Sequence, residues 1–320
     1  MKKSVIYIFL SLILIIILVI VISDFRSTRP DRMSGNPYKL NTDRIKAVDP
    51  NLVTYHETKN YPVNARQAGA IAVAGEKIYL VADTFLQVFD HSGKQLLMKR
   101  LTEPAGCVEV NEQGDMIIGF RNMLALYSSA GEEQWRSDPL DDRAVITALA
   151  LKNGTIFAAD AGNRAVHRFS NSGIYVGSFE GKTSIEGNHG FIVPSPFFDL
   201  GVTPDGELWV VNPGKHALEN YTDDGNLRSY LENISQEIDG FVGCCNPAHI
   251  AIMADGSFLT SEKGIPRIKI HEASGELSTV VAPPDKFTED GEAPDVAVDE
   301  KGIVYALDYD RNMIRIFEPN

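Results

Sequence analysis

Cysteine is scarce in this sequence, with three in 320 residues. So low and odd a count excludes a small domain stapled by disulfides. Basic charge is also short: 30 Lys and Arg stand against 43 Asp and Glu, for a formal net charge of −13. Lys and Arg gather into no stripe, so phosphate backbones are repelled and no nucleic acid partner is expected. No G-x-S-x-G, P-loop, dinucleotide fingerprint or EF-hand pattern occurs, which removes the familiar signatures of nucleophilic and nucleotide-dependent enzymes.

What is present begins with a charge-free run from Ser4 to Ser23, in which sixteen of twenty residues are Ile, Leu, Val or Phe. At about 1.5 Å per residue such a helix covers roughly 30 Å, the hydrocarbon thickness of a bilayer. The run therefore predicts a transmembrane signal anchor over 4–23 behind a cytoplasmic tail of residues 1–3. The alternative is a signal peptide cut before Asp24, although the run is longer than an ordinary signal h-region. Lys2 and Lys3 precede the helix while Arg26, Arg29 and Arg32 follow it. A two-lysine tail ahead of a large domain places that domain outside the cytoplasm, in the periplasm or at the cell surface. Residues 24–50 are polar and broken by Pro30, Gly35, Pro37 and Pro50, and read as a tether.

From residue 51 to 320 the chain repeats itself. Six units each open with a short alternating strand and turn at Gly75, Gly114, Gly154, Gly206, Gly256 and Gly302. The first five turn again at Gly93, Gly131, Gly173, Gly225 and Gly275. Glycine suits such hairpins because two-residue turns require φ > 0. Four short strands per unit predict an all-β, six-bladed β-propeller. The sixth unit ends at Asn320 after its third strand, and Leu52–Val63 has the character of the strand it lacks. An N-terminal outer strand is thus expected to close the ring and cover an open edge. A β-sandwich would also carry alternating strands, but it does not require six units in register.

At residues 160–169 (DAGNRAVHRF) and 308–317 (DYDRNMIRIF) the units resemble NHL repeats, a propeller family within the wider TolB-like and lactonase-like superfamily. The resemblance spans residues 51–320 and implies a membrane-anchored bacterial propeller. It leaves activity open, since such propellers include protein-binding and RNA-binding modules, lactonase-like hydrolases and a zinc-dependent amidating lyase. The run from Gly243 to Ile270 also resembles a segment of bacterial NHL-type proteins.

In a propeller, the loops leading into the innermost strands and those joining second to third strands open on one face. Counting back seven residues from each first-hairpin glycine gives Ala68, Cys107, Thr147, Asp199, His249 and Asp295. Asp199, His249 and Asp295, with His189 and His216 from nearby loops, could ligate a divalent metal such as zinc or calcium. None of these histidines has metal-ligand spacing, so ordinary loop and strand roles compete with that reading. Arg66, Arg143, Cys244, Cys245, Asn246, Glu262 and Lys263 are expected on the same face, among further charged loop residues including Asp160 and Asp308. The adjacent Cys244 and Cys245 could form a vicinal disulfide or stay as buried thiols. Cys107 belongs to the opposite side of the ring and is expected to be unbridged.

The first functional reading is a non-catalytic binding or scaffolding module that presents its loop face to another envelope protein or a small polar ligand. A metal-dependent hydrolase or lyase at the tunnel mouth is the second, and a protein linked to thiol–disulfide redox the third.

Overall fold

A computed structural model describes residues 3–27, 45–182 and 190–320. The chain divides into two units, Met1–Arg44 and Ile45–Asn320. In the first, helix α1 spans Lys3–Ser27, four residues beyond the expected end. Its described side chains are those at 7, 8 and 11–23. Among the described residues no helix is long and apolar enough to cross a membrane, so the anchor rests on the sequence run alone.

The second unit is a ring of four-stranded antiparallel sheets. An N-terminal strand β1 (Tyr55–Pro62) precedes blade one, β2 (Ala68–Ala74), β3 (Lys77–Ala82), β4 (Phe85–Asp90) and β5 (Gln95–Arg100). Blade two is β6 (Cys107–Val110), β7 (Met116–Gly119), β8 (Leu124–Tyr127) and β9 (Glu133–Arg136). Blade three is β10 (Ile146–Lys152), β11 (Thr155–Asp160), β12 (Ala165–Ser170) and β13 (Tyr175–Phe179). Blade four is β14 (Leu200–Val202), β15 (Leu208–Asn212), β16 (Ala217–Tyr221) and β17 (Leu227–Glu232). Blade five is β18 (His249–Ile252), β19 (Phe258–Glu262), β20 (Arg267–His271) and β21 (Leu277–Ala282). Blade six holds β22 (Asp295–Val298), β23 (Val304–Asp308) and β24 (Met313–Pro319), and takes β1 as its outer strand.

The six-bladed propeller and its closure follow the sequence reading. β1 pairs antiparallel with β24 from Tyr55↔Pro319 to Pro62↔Met313, with a register shift between Glu57 and Lys59. Arg315 fastens the seam through Glu57, at 2.6 Å from Nη2 to Oε2. The same N-terminal segment reaches blade five, where the Thr279 hydroxyl donates to Leu52 O at 2.7 Å. One strand edge is thereby paired instead of exposed.

The turns correct one detail. Only blades one and three use two-residue first hairpins, Ala74↔Lys77 around Gly75 and Lys152↔Thr155 around Asn153-Gly154. In the other four blades the glycine N–H bonds back three residues, as from Gly114 to Asn111 O and from Gly256 to Met253 O. That is a type I turn followed by a left-handed glycine, which adds one residue to the loop.

Burial grades outward. All the residues of β7, β15 and β19 are buried, whereas the outer strand β5 is largely exposed. The sheets stand radially, so their inner strands bury both faces against neighbouring blades while an outer strand meets solvent. Val81 and Leu86 of blade one, Ile118 and Leu124 of blade two and Leu149 of blade three form one continuous cluster across the blade boundaries.

Candidate functional site

The innermost strands β2, β6, β10, β14, β18 and β22 surround a central tunnel of about 270 Å³. Five of the six positions marked by the repeat line it: Cys107, Thr147, Asp199, His249 and Asp295. Ala68 does not, because Gly75 is the first residue of its two-residue turn whereas Gly154 is the second in the matching turn of blade three, so the count from Gly75 falls one residue before the position equivalent to Thr147.

Blades four, five and six bring two carboxylates to one imidazole. His249 Nδ1 lies 3.4 Å from Asp199 Oδ2 and 3.5 Å from Asp295 Oδ1. One ligand atom from each residue lies within 4.8 Å of the other two. Both carboxylates also tie the ring together. Asp199 accepts from Leu200 N at 2.7 Å and, across the blade boundary, from Ile250 N at 3.0 Å. Asp295 accepts from Val296 N at 2.9 Å and from Ile71 N of blade one at 2.8 Å.

The electrostatics follow from that enclosure. Burial pushes the Asp295 carboxyl up to about 6 and outweighs the attraction of His249. For His249, burial works to lower the pKa, but the hydrogen bond to Asp199 and the charges of Asp295 and Asp199 leave it raised above its ordinary value. His249 Nε2 is buried and has no hydrogen-bond partner.

These residues fit a divalent cation. Bonds of about 2.0–2.2 Å to nitrogen and oxygen place neighbouring ligands roughly 3–3.6 Å apart, and both His249–carboxylate separations fall in that range. Each carboxylate oxygen that already accepts one N–H retains a second acceptor position.

The other proposed ligands differ in placement. His216 sits beyond the short 3₁₀ turn Pro213–Lys215 with a φ of 54°, and it is not in the Asp199–His249–Asp295 group. His189 lies outside the described residues.

The expected binding face is corrected at several positions. Arg66, Arg143 and Cys244 are exposed and Lys263 is half-buried, but Cys245, Asn246 and Glu262 are each about 1% exposed. Glu262 is a structural ion. It accepts from Arg267 Nε at 2.8 Å and Nη2 at 2.9 Å, from Lys269 Nζ at 2.8 Å and from Val242 N at 3.0 Å. Asn246 holds two loops together by donating to Val242 O and Lys263 O and accepting from Lys263 N. Asp160 and Asp308 are buried too. Asp160 accepts from Val145, Gly162 and Asn163 N–H groups and pairs with His167, while Asp308 accepts from Arg311 and Arg315. Loop carboxylates facing several backbone N–H groups are drawn inward because their hydrogen-bonding capacity is met there.

Cys244 and Cys245 are free thiols with sulfurs 3.2 Å apart, and Cys107 is free and buried. A third tunnel carboxyl, Glu109, escaped the sequence reading. Burial pushes it up to about 7, with the charge of Asp199 adding to the shift. Its only sequence signal is the two-residue step from Cys107 along an alternating strand.

No family model matches the chain and no curated protein matches it. Solved structures do share the fold. A streptogramin B lyase structure is 14% identical at a TM-score of 0.59, covering 83% of this chain and 98% of that one. Virginiamycin B lyase from Staphylococcus aureus is 13% identical at 0.58, covering 83% of this chain and all of the other. A protein of unknown function from Bacteroides thetaiotaomicron is 14% identical at 0.56, covering 82% and 72%. At these identities the likeness is one of fold.

Proposed function

We propose that this chain is a ligand-binding propeller held outside the cytoplasm by α1, which captures a small polar ligand or envelope protein through a divalent cation at its tunnel mouth. The observation that supports it is the convergence of Asp199 and Asp295 on His249 Nδ1 from three adjacent blades. A rigid ring fixes the spacing of such groups better than mobile loops would. One imidazole and two carboxylates suit zinc, and the oxygen-rich surroundings also admit calcium. Such a cation would supply a Lewis-acidic point for an anionic or carbonyl-bearing ligand.

Kinship with NHL repeats belongs to the same proposal, supported by Asp160 and Asp308, which end the second strands of their blades and hold the following turns. A metal-dependent lyase or hydrolase is the second reading. It is favoured by the titratable Glu109, which lines the same tunnel and could exchange a proton near neutral pH. Similar folds in the streptogramin B and virginiamycin B lyases are compatible with it but do not assign the activity.

Native mass spectrometry of the full chain, in detergent and without tag or chelator, is the first test. About one equivalent of zinc or calcium is expected, and His249→Ala and Asp295→Asn should each lose it while keeping the circular dichroism of the wild type. A wild type that holds neither ion after dialysis against each would remove both metal readings. Resistance of the full chain to alkaline extraction from membranes would support the anchor, and complete release would remove it.

A further inference from the structure

We propose that Cys244 and Cys245 form a thiol–disulfide exchange site beside the tunnel mouth, in which exposed Cys244 captures a disulfide substrate and buried Cys245 resolves the mixed disulfide. The inference is independent of any bound metal. Adjacent residues carry the two sulfurs, 3.2 Å apart, with Cys244 open to solvent and Cys245 enclosed. A non-bonded separation that short leaves about 1.2 Å to travel to a disulfide bond length.

The surroundings differentiate the two thiols. Ser195 Oγ donates to Cys245 Sγ at 3.4 Å, and Lys263 Nζ donates to Ser195 Oγ at 3.0 Å. Burial would raise the Cys245 thiol, but hydrogen bonding from Lys263, Ser195 and Cys244 outweighs it and holds the thiol below its ordinary value. Cys244 is shifted upward, chiefly by its hydrogen bond with Cys245. Asn246 is a positioning residue: by bonding both the N–H and the carbonyl of Lys263 it fixes the ammonium's backbone against the cysteine loop. Lys263 also stands over the Phe197 ring at 4.9 Å, and that ring meets His249 edge-on at 5.4 Å. Contacts therefore run from the exposed sulfur to the tunnel.

The chemistry balances with a low-molecular-weight disulfide as oxidant. The Cys244 thiolate attacks one sulfur of that disulfide, whose S–S bond breaks; the released thiolate takes up the proton that Cys244 gave to solvent. The Cys245 thiolate then attacks Cys244 Sγ, forming the protein disulfide and expelling the second small thiolate, which is protonated in turn. Two protein thiols are oxidised and one small disulfide is reduced to two thiols. Attack proceeds through the thiolate, so the groups around Cys245 act on the second step.

Treatment of the full chain with glutathione disulfide, followed by alkylation and peptide mass analysis, tests the assignment. Wild type should close to the Cys244–Cys245 disulfide, with Cys107 remaining a thiol. Cys245→Ser should stop as a glutathione adduct on Cys244, and Cys244→Ser should form no adduct. Lys263→Met should slow closure about tenfold and slow Cys244 capture by less, because the ammonium acts on Cys244 by its charge alone but on Cys245 by a hydrogen bond as well, with Lys263→Arg restoring much of the loss. A wild type that accumulates the mixed disulfide as Cys245→Ser does, an adduct on Cys245 in Cys244→Ser, or thiols that react only after unfolding would each overturn the proposal.

Discussion

His249 and His271 lie in the same blade, one opening β18 and the other closing β20, and each has a buried Nε2 without a hydrogen-bond partner. Their protonation runs in opposite directions. Two carboxylates flank His249 and raise its pKa despite burial. His271 is pushed down to about 4, first by burial and then by the charge of Lys269, with Glu262 opposing. Depth in the fold is therefore not what separates a candidate ligand from a core histidine; the sign of the surrounding charge is. The Glu262–Arg267–Lys269 group accordingly reads as structure, and the Asp199–His249–Asp295 group as a place for a cation.

The largest effect should come from upsetting the blade-five ions. Burial would raise the Glu262 carboxyl, but Lys269 and Arg267 hold it below its ordinary value, while Lys269 itself is pushed down to about 8 by its own burial. Glu262→Gln would leave two buried cations facing a neutral amide. A loss of about 3–5 kcal/mol is expected in urea unfolding, with the His271 titration moving lower still. An unchanged midpoint would mean that water already screens these groups.

A smaller effect should appear in the acid limb of stability. Because His271 titrates near 4 when folded and near 6.5 when unfolded, the unfolded chain binds its proton first as pH falls. Stability should therefore drop between about pH 6.5 and 4, by on the order of 3 kcal/mol from this one group. His271→Gln should flatten that limb, as denaturant midpoints across the range would reveal. An equally steep limb in the variant would assign the slope to other residues.

The smallest effect has the opposite sign. With its folded pKa raised, His249 adds stability below its unfolded value near 6.5, and the gain is lost as pH rises through the higher folded pKa. In chelator-treated protein the His249 imidazole should titrate above 6.5 by NMR, and Asp199→Asn should bring it down. A midpoint below 6.5 in the wild type would abolish the contrast with His271.

The repeat was legible because propeller blades impose the same turn at the same place: the hairpin glycines, from Gly75 to Gly302, all have positive φ. The closing strand was legible because β24 lacked a neighbour in sequence. Aligning the units also identified Asp199, His249 and Asp295 as equivalent positions before any contact was known. Other features were not legible. A turn carboxylate such as Asp160 looks the same in sequence whether water or Val145 N–H satisfies it. Glu262 looked like a loop charge because Arg267 and Lys269, its partners on the next strand, also look like surface residues. Glu109 carried no mark beyond strand alternation.

The sequence by itself determined the number of blades, the place of every hairpin glycine and the source of the last strand, since these follow from local φ preferences and the two-residue alternation of strands. Only the tertiary structure decided which polar residues were enclosed, which carboxylates met His249 and how close the sulfurs of Cys244 and Cys245 came. Those outcomes depend on how side chains meet within loops, between neighbouring strands and across the tunnel, where burial and neighbouring charge act on each group together.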